Sequence, residues 1–94
     1  MWVRSQDRKR LLNLNGYNIY KEKDLYQIIG FDVRNSNNDI DWVLGEYSKK
    51  EKAIKVLNMI QQKIIEIDKN KFYGREMMMY TDNTFQMPQD DEVE

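Results

Sequence analysis

Between Ser48 and Asp68 the chain reads SKKEKAIKVLNMIQQKIIEID. Ala53, Leu57, Ile60, Ile64 and Ile67 recur at spacings of 4, 3, 4 and 3, and Ile54 and Val56 widen the same stripe. Lys52, Lys55, Gln62, Lys63 and Glu66 fall on the other faces. That period is the one an α-helix needs to bury a single side, so the spacing predicts an amphipathic helix over about 49–68. Ser48-Lys49-Lys50-Glu51 matches a capping box at its start: the Ser48 hydroxyl would accept from the Glu51 amide while the Glu51 carboxylate reaches back to the Ser48 amide. The stripe reads first as a core face, with a helix-mediated dimer as the alternative.

Toward the N-terminus the period changes from helical to alternating. Ile40–Tyr47 and Leu25–Val33 read as strands, separated by Arg34-Asn35-Ser36-Asn37-Asn38-Asp39, a loop by composition. A hairpin centred between Asn37 and Asn38 would pair Phe31 with Leu44, Val33 with Trp42, Arg34 with Asp41 and Gly30 with Gly45. Ile29, Phe31, Val33, Trp42 and Leu44 would then lie beneath the helix, and Tyr26, Ile28, Val43 and Tyr47 would face away. The two facing glycines would mark a bulge, a self-association surface or a ligand platform. Lys21–Asp24 forms a polar turn. Asn15-Gly16 is a strong hairpin signal between Leu11–Leu14 and Tyr17–Tyr20, because both residues tolerate the positive φ of a type I′ turn. Met1–Gln6 alternates, with Met1, Val3 and Ser5 on one face and Trp2, Arg4 and Gln6 on the other, before the polar Asp7-Arg8-Lys9.

Beyond the helix, Phe72-Tyr73-Gly74 reads as an exit turn and Met77-Met78-Met79-Tyr80 as an apolar, adaptable patch. Thr84–Met87 forms a last strand stopped by Pro88. Residues 89–94 are expected to be an acidic, disordered tail beyond a single domain at 1–88. The expected fold is therefore α+β: an antiparallel meander sheet of about five strands with one amphipathic helix packed on one face.

Composition narrows the chemistry. The 94 residues include no Cys and no His, which excludes disulfides, thiolate nucleophiles, imidazole bases and the usual zinc sites. Asn37-x-Asp39-x-Asp41 imitates the opening of a calcium loop, but Trp42 stands where the turn glycine is needed and Ser48 where the bidentate Glu is needed. The carboxylates at 90–92 fall in the tail, where nothing would hold them at catalytic spacing. No catalytic residue, metal or cofactor is expected, and the chain reads as a non-enzyme. The net charge of −1 is a cancellation: Arg4, Arg8, Lys9 and Arg10 crowd the start, whereas Asp90, Asp91, Glu92 and Glu94 crowd the end. Such a balance argues against general nucleic-acid binding. The absence of a signal-like or membrane-length apolar run leads to the expectation of a cytoplasmic protein without a membrane.

The remaining binding candidates are aromatic and guanidinium side chains. Arg4, Arg8 and Arg10 could pair with phosphates, while Trp2, Tyr26 or Tyr47 could stack on a base. A domain with one helix and two partly apolar sheet faces leaves one face to be covered by the C-terminal segment or by a second copy, and a homo-oligomer is expected.

The opening Met-Trp-Val-Arg-Ser-Gln-Asp, the run Leu44-Gly-Glu-Tyr-Ser-Lys-Lys-Glu-Lys-Ala53 and the ending Phe85-Gln-Met-Pro88 resemble a family of small uncharacterised proteins of Gram-positive phages and prophages, and the likeness spans most of the chain. The resemblance transfers no residue role. Its phage setting implies a counter-defence protein in the host cell, one that sequesters a nucleotide-like immune signal. The alternative is a protein-interaction module that inhibits or adapts a host defence protein through its apolar sheet face or acidic tail.

Overall fold

A computed structural model describes residues 1–33, 40–73 and 83–94, with side chains described up to 69 in the helix. The hairpin loop, the Arg34–Asp41 pair, the calcium-like Asn37-x-Asp39 and the Met77–Tyr80 patch fall wholly or partly outside these residues. The described residues form an α+β fold of six strands and one long helix. The strands are β1 (Trp2–Arg4), β2 (Leu11–Asn13), β3 (Gly16–Glu22), β4 (Leu25–Phe31), β5 (Trp42–Tyr47) and β6 (Thr84–Gln86). Helix α1 spans Lys50–Tyr73, passing the expected end at Asp68 and including Phe72 and Tyr73, and a short 3-10 helix covers Asp90–Glu92. No described helix is long and apolar enough to cross a membrane.

The strands make two sheets instead of one meander, in the orders β2-β1-β6 and β3-β4-β5. All pairings are antiparallel except β1 with β6, which run parallel with Val3 opposite Phe85. The alternation expected at the start holds: Val3 and Ser5 are buried while Trp2 and Arg4 face out. The turn expected at Lys21–Asp24 narrows to Lys23-Asp24, because Lys21 and Glu22 extend β3 and pair with Tyr26 and Leu25, and Lys23 takes a φ of 56°.

Asn15-Gly16 makes no hairpin. β2 and β3 belong to different sheets, and the dipeptide is the crossing between them. Asn15 holds the end of β4 there: its amide donates to the Phe31 carbonyl (3.2 Å), its Nδ2 to Asp32 Oδ1 (3.2 Å), and its Oδ1 accepts from the Val33 amide (2.8 Å). Gly16 has no positive φ. A glycine is needed because the Phe31 ring lies within 2.2 Å of where a Cβ would sit.

The β4–β5 register differs from the expected one through a bulge. Ile28 pairs with Gly45 but Ile29 with Val43, which leaves Leu44 as the extra residue. Trp42, Leu44 and Tyr47 can then all turn inward although 44 and 47 have opposite parity, as a bulge permits. Gly30 consequently faces Trp42 instead of Gly45, and a Cβ on it would lie 2.5 Å from Leu14 and 2.8 Å from Leu44. Leu44 and Trp42 face the core as expected, but Ile28, Tyr47 and Tyr26, expected to point away, face it too: Ile28 and Tyr47 are fully buried with Leu44, and Tyr26 and Trp42 pack against them. Val43 points outward, 46% exposed.

Helix α1 closes this face with Ala53, Val56 and Ile60. Val56, at the edge of the expected stripe, is wholly buried, whereas Leu57 is half-buried and Ile54 is 40% exposed. The expected capping box is replaced, because Ser48 turns to Asp90. The Ser48 amide (2.9 Å) and hydroxyl (3.0 Å) both donate to that carboxylate. Residues 89–94, expected as a disordered tail, are thus part of the fold. Val93 is buried in the core, Lys52 Nζ donates to the Asp90 carbonyl at 2.8 Å, and Lys55 Nζ donates to the Glu94 carbonyl. An acidic group beside the first turn of a helix also meets its positive dipole end.

Candidate functional site

The turn that follows β1 is built on two side chains. Ser5 Oγ donates to Asp7 Oδ1 (2.5 Å) and accepts from the Arg10 amide (3.2 Å), while the Lys9 amide donates to the same Asp7 oxygen (3.0 Å). These bonds, the Ser5 hydroxyl first and the Lys9 amide next, hold the Asp7 carboxyl below its ordinary range. Asp7 is therefore a weak base, and Ser5 is 3% exposed. The pair locks a turn, with the Ser5 hydroxyl buried and the Asp7 carboxylate exposed. Arg8, at the tip, takes a φ of 66°, the left-handed region that an L-residue enters at some energetic cost.

Gln6 joins this turn to the free edge of β5. Its amide donates to the Leu44 carbonyl (2.7 Å), and its side-chain oxygen accepts from the Glu46 amide (2.9 Å). Its Nε2 donates to the Glu46 carbonyl (3.1 Å) and the Pro88 carbonyl (3.2 Å). The Leu44 carbonyl and both Glu46 backbone groups on this edge are thereby satisfied by one residue, through its backbone and its side chain, which blocks further strand addition along 44–46. Nothing in the sequence distinguishes Gln6 from an ordinary outward-facing strand residue.

Between this turn and β5 lies a groove of about 470 Å³. Trp42 forms part of its wall, with the Arg10 guanidinium 4.8 Å above the ring centroid. Asp7, Asp41 and Glu46 also line it. Among the described residues the lining therefore sets three carboxylates against one cation, and that cation is held over an aromatic face. The lining residues thus carry a net formal charge of −2 beside an apolar strip, with Lys9 and Arg10 close to Asp7.

The six residues expected to hold a nucleotide do not converge. Arg10 is in the groove. Arg4 bends along its own turn, its Nε donating to the Arg8 carbonyl at 3.1 Å. Trp2 lines a separate cleft of about 330 Å³ with Asn13, Asn15 and Asp68. Tyr26 pairs across the sheet with Tyr47 and carries Lys21 Nζ 5.9 Å over its ring. Tyr47 has no ring face to offer: it is fully buried, and its hydroxyl donates to the Pro88 carbonyl at 2.8 Å. Burial, then the Asp90 and Glu92 carboxylates, raises its pKa far above the ordinary tyrosine value. Its expected stacking role gives way to a core role, because the bulge at Leu44 turns it inward. No protein-family model, curated protein or solved structure matches the chain.

Proposed function

We propose that this chain is a non-catalytic protein-binding module that takes a basic, extended segment of a partner into the groove between the 5–10 turn and β5. The observation that carries the reading is the excess of carboxylates there: Asp7, Asp41 and Glu46 face a cleft whose one cation, Arg10, lies on Trp42. A phosphate would meet a repulsive field; Lys or Arg side chains would meet an attractive one, with the indole offering a second contact. In the phage setting implied by the resemblance, the partner would be a host defence protein. The test uses the two tryptophans of the chain. In a Trp2→Phe variant, Trp42 alone reports, and a ten-residue peptide of alternating Lys and Val should change its fluorescence with an affinity that falls as salt rises. Asp41→Asn together with Glu46→Gln should weaken that binding several-fold. No Trp42 response, or equal binding by the neutralised variant, refutes the reading.

The Arg10–Trp42 contact also supports the sequestration of a nucleotide-like ligand. A base would replace the guanidinium on the indole, and the released Arg10 would pair with phosphate. The two readings predict opposite responses, since Asp41→Asn should tighten nucleotide binding and loosen peptide binding. Calorimetry against a panel of cyclic and phosphorylated nucleotides that gives neither heat nor a melting shift removes the nucleotide reading.

A further inference from the structure

Helix α1 carries a second stripe beside the one it buries. At 3.6 residues per turn, Lys50, Ile54, Leu57, Gln61, Ile65 and Asp68 fall within about 80° of one another, roughly 100° round the axis from the buried Ala53, Val56 and Ile60. Ile54 and Ile65 are 40% and 48% exposed, and Leu57 is half-buried. Leu57 and Ile65 also line, with Tyr17 of β3, an apolar cleft of about 330 Å³ alongside the helix. Isolated exposed apolar residues need no explanation. These differ because Ile54 and Ile65, and likewise Lys50 and Asp68, stand almost equally far from the middle of the helix at Met59.

We propose that this stripe is the contact face of a homodimer in which the two α1 helices lie antiparallel about a two-fold axis level with Met59 and Ile60. That axis places Ile54 opposite Ile65 of the second copy, and Leu57 opposite Gln61. A two-fold perpendicular to antiparallel helices keeps each flank on its own side, so charge on one flank meets charge on the same flank. Lys50 and Asp68 share one flank, and each meets the other across the axis. Glu51 and Lys69 share the opposite flank and do the same. All four are exposed. Both flanks are therefore complementary in the antiparallel arrangement, and each ion pair occurs twice by symmetry. A parallel pairing would instead set Lys50 against Lys50 and Asp68 against Asp68. The interface is isologous, as closed dimers require. It leaves the groove beside β5 free, so its success or failure is separate from that of the peptide-binding reading.

Sedimentation equilibrium from about 1 μM to 1 mM tests the proposal. The chain should sediment as a dimer in the upper part of that range. Ile65→Lys should give a monomer with an unchanged melting temperature at low concentration, because the residue it replaces is exposed. Lys50→Asp should weaken the dimer about ten-fold by reversing two symmetry-related pairs, and adding Asp68→Lys should restore it to within about three-fold. A monomer at every concentration, or a dimer indifferent to Ile65→Lys, overturns the proposal. Dissociation by Ile65→Lys without rescue by the charge exchange overturns the antiparallel register.

Discussion

The two sheets solve the same problem with contacts of different range. In β3-β4-β5 every neighbour in space is a neighbour in sequence, and Glu22 and Leu25 pair across a two-residue turn. In β2-β1-β6 the central strand is the first in the chain, and it pairs with residues from the far end, Val3 opposite Phe85. The local sheet needs only its own turns; the other needs everything between its strands to be in place. Local pairing is entropically cheap, and distant pairing is stable only if the rest of the core holds the ends together. The side chains that tie the closure, Met87, Gln6 and Tyr47, all act where the C-terminal segment crosses the rest of the fold.

The sharpest way to separate the sheets is Met87→Ala. Met87 is wholly buried and its amide donates to the Arg4 carbonyl, so truncation should lower stability by about 3 kcal/mol. Hydrogen exchange should show β1 and β6 amides losing protection before those of β3 and β4. Equal loss in both sheets would mean that they unfold as one unit. Gln6→Ala, which leaves the Glu46 amide and the Glu46 and Pro88 carbonyls without this partner, should cost about 2 kcal/mol by chemical denaturation. A change within error would show that water replaces the glutamine at this edge.

Tyr47→Phe should cost about 1 kcal/mol at neutral pH through the lost bond to Pro88. Its pH dependence identifies the cause. Because the folded pKa is raised above the ordinary 10.0, the neutral phenol's contribution is fully present below pH 10 and is lost as pH rises above it. The Phe variant should therefore show a flatter alkaline decline in melting temperature than the parent. The remaining slope should come from Tyr17, whose pKa burial pushes up to about 12. The smallest effect belongs to the local sheet. Lys23→Gly relieves a left-handed φ at the β3–β4 turn and should raise stability by about 0.5 kcal/mol, the relief being offset in part by glycine's greater freedom when unfolded. A loss of stability would mean that the lysine's own contacts outweigh the backbone strain.

The local features were the legible ones. The 3–4 spacing of Ala53, Leu57, Ile60, Ile64 and Ile67 announces the helix, and the alternation around Val3 announces its strand, because both are periodic facts about single elements. Asn15-Gly16 misled because a turn signal states which φ values are tolerated, whereas the requirement at Gly16 is room for the Phe31 ring. The β4–β5 register was missed through one inserted residue, Leu44, and that shift brought Tyr26, Ile28 and Tyr47 to the core face while Trp42 and Leu44 kept their expected side. Acidic composition made residues 89–94 look like a solvated tail, but Asp90 meets the start of α1 and Val93 joins the core. For the candidate site, Arg10 was recognisable as a basic residue near a turn. The acidic character of its surroundings was not, since Asp7, Asp41 and Glu46 come together only across the groove.

The parallel pairing of β1 with β6 has a consequence for how the protein is made. At roughly 5–20 residues per second of synthesis, the interval between the appearance of Val3 and that of Phe85, 82 positions later, is about 4–16 s. Throughout it, β1 has one open edge and Val3 lacks part of its cover, while the β3-β4 hairpin can already form. The nascent chain thus carries a standing docking edge that only Thr84–Gln86 removes, and chaperones or proteases that read exposed strand edges would see an unfinished molecule as different from a finished one.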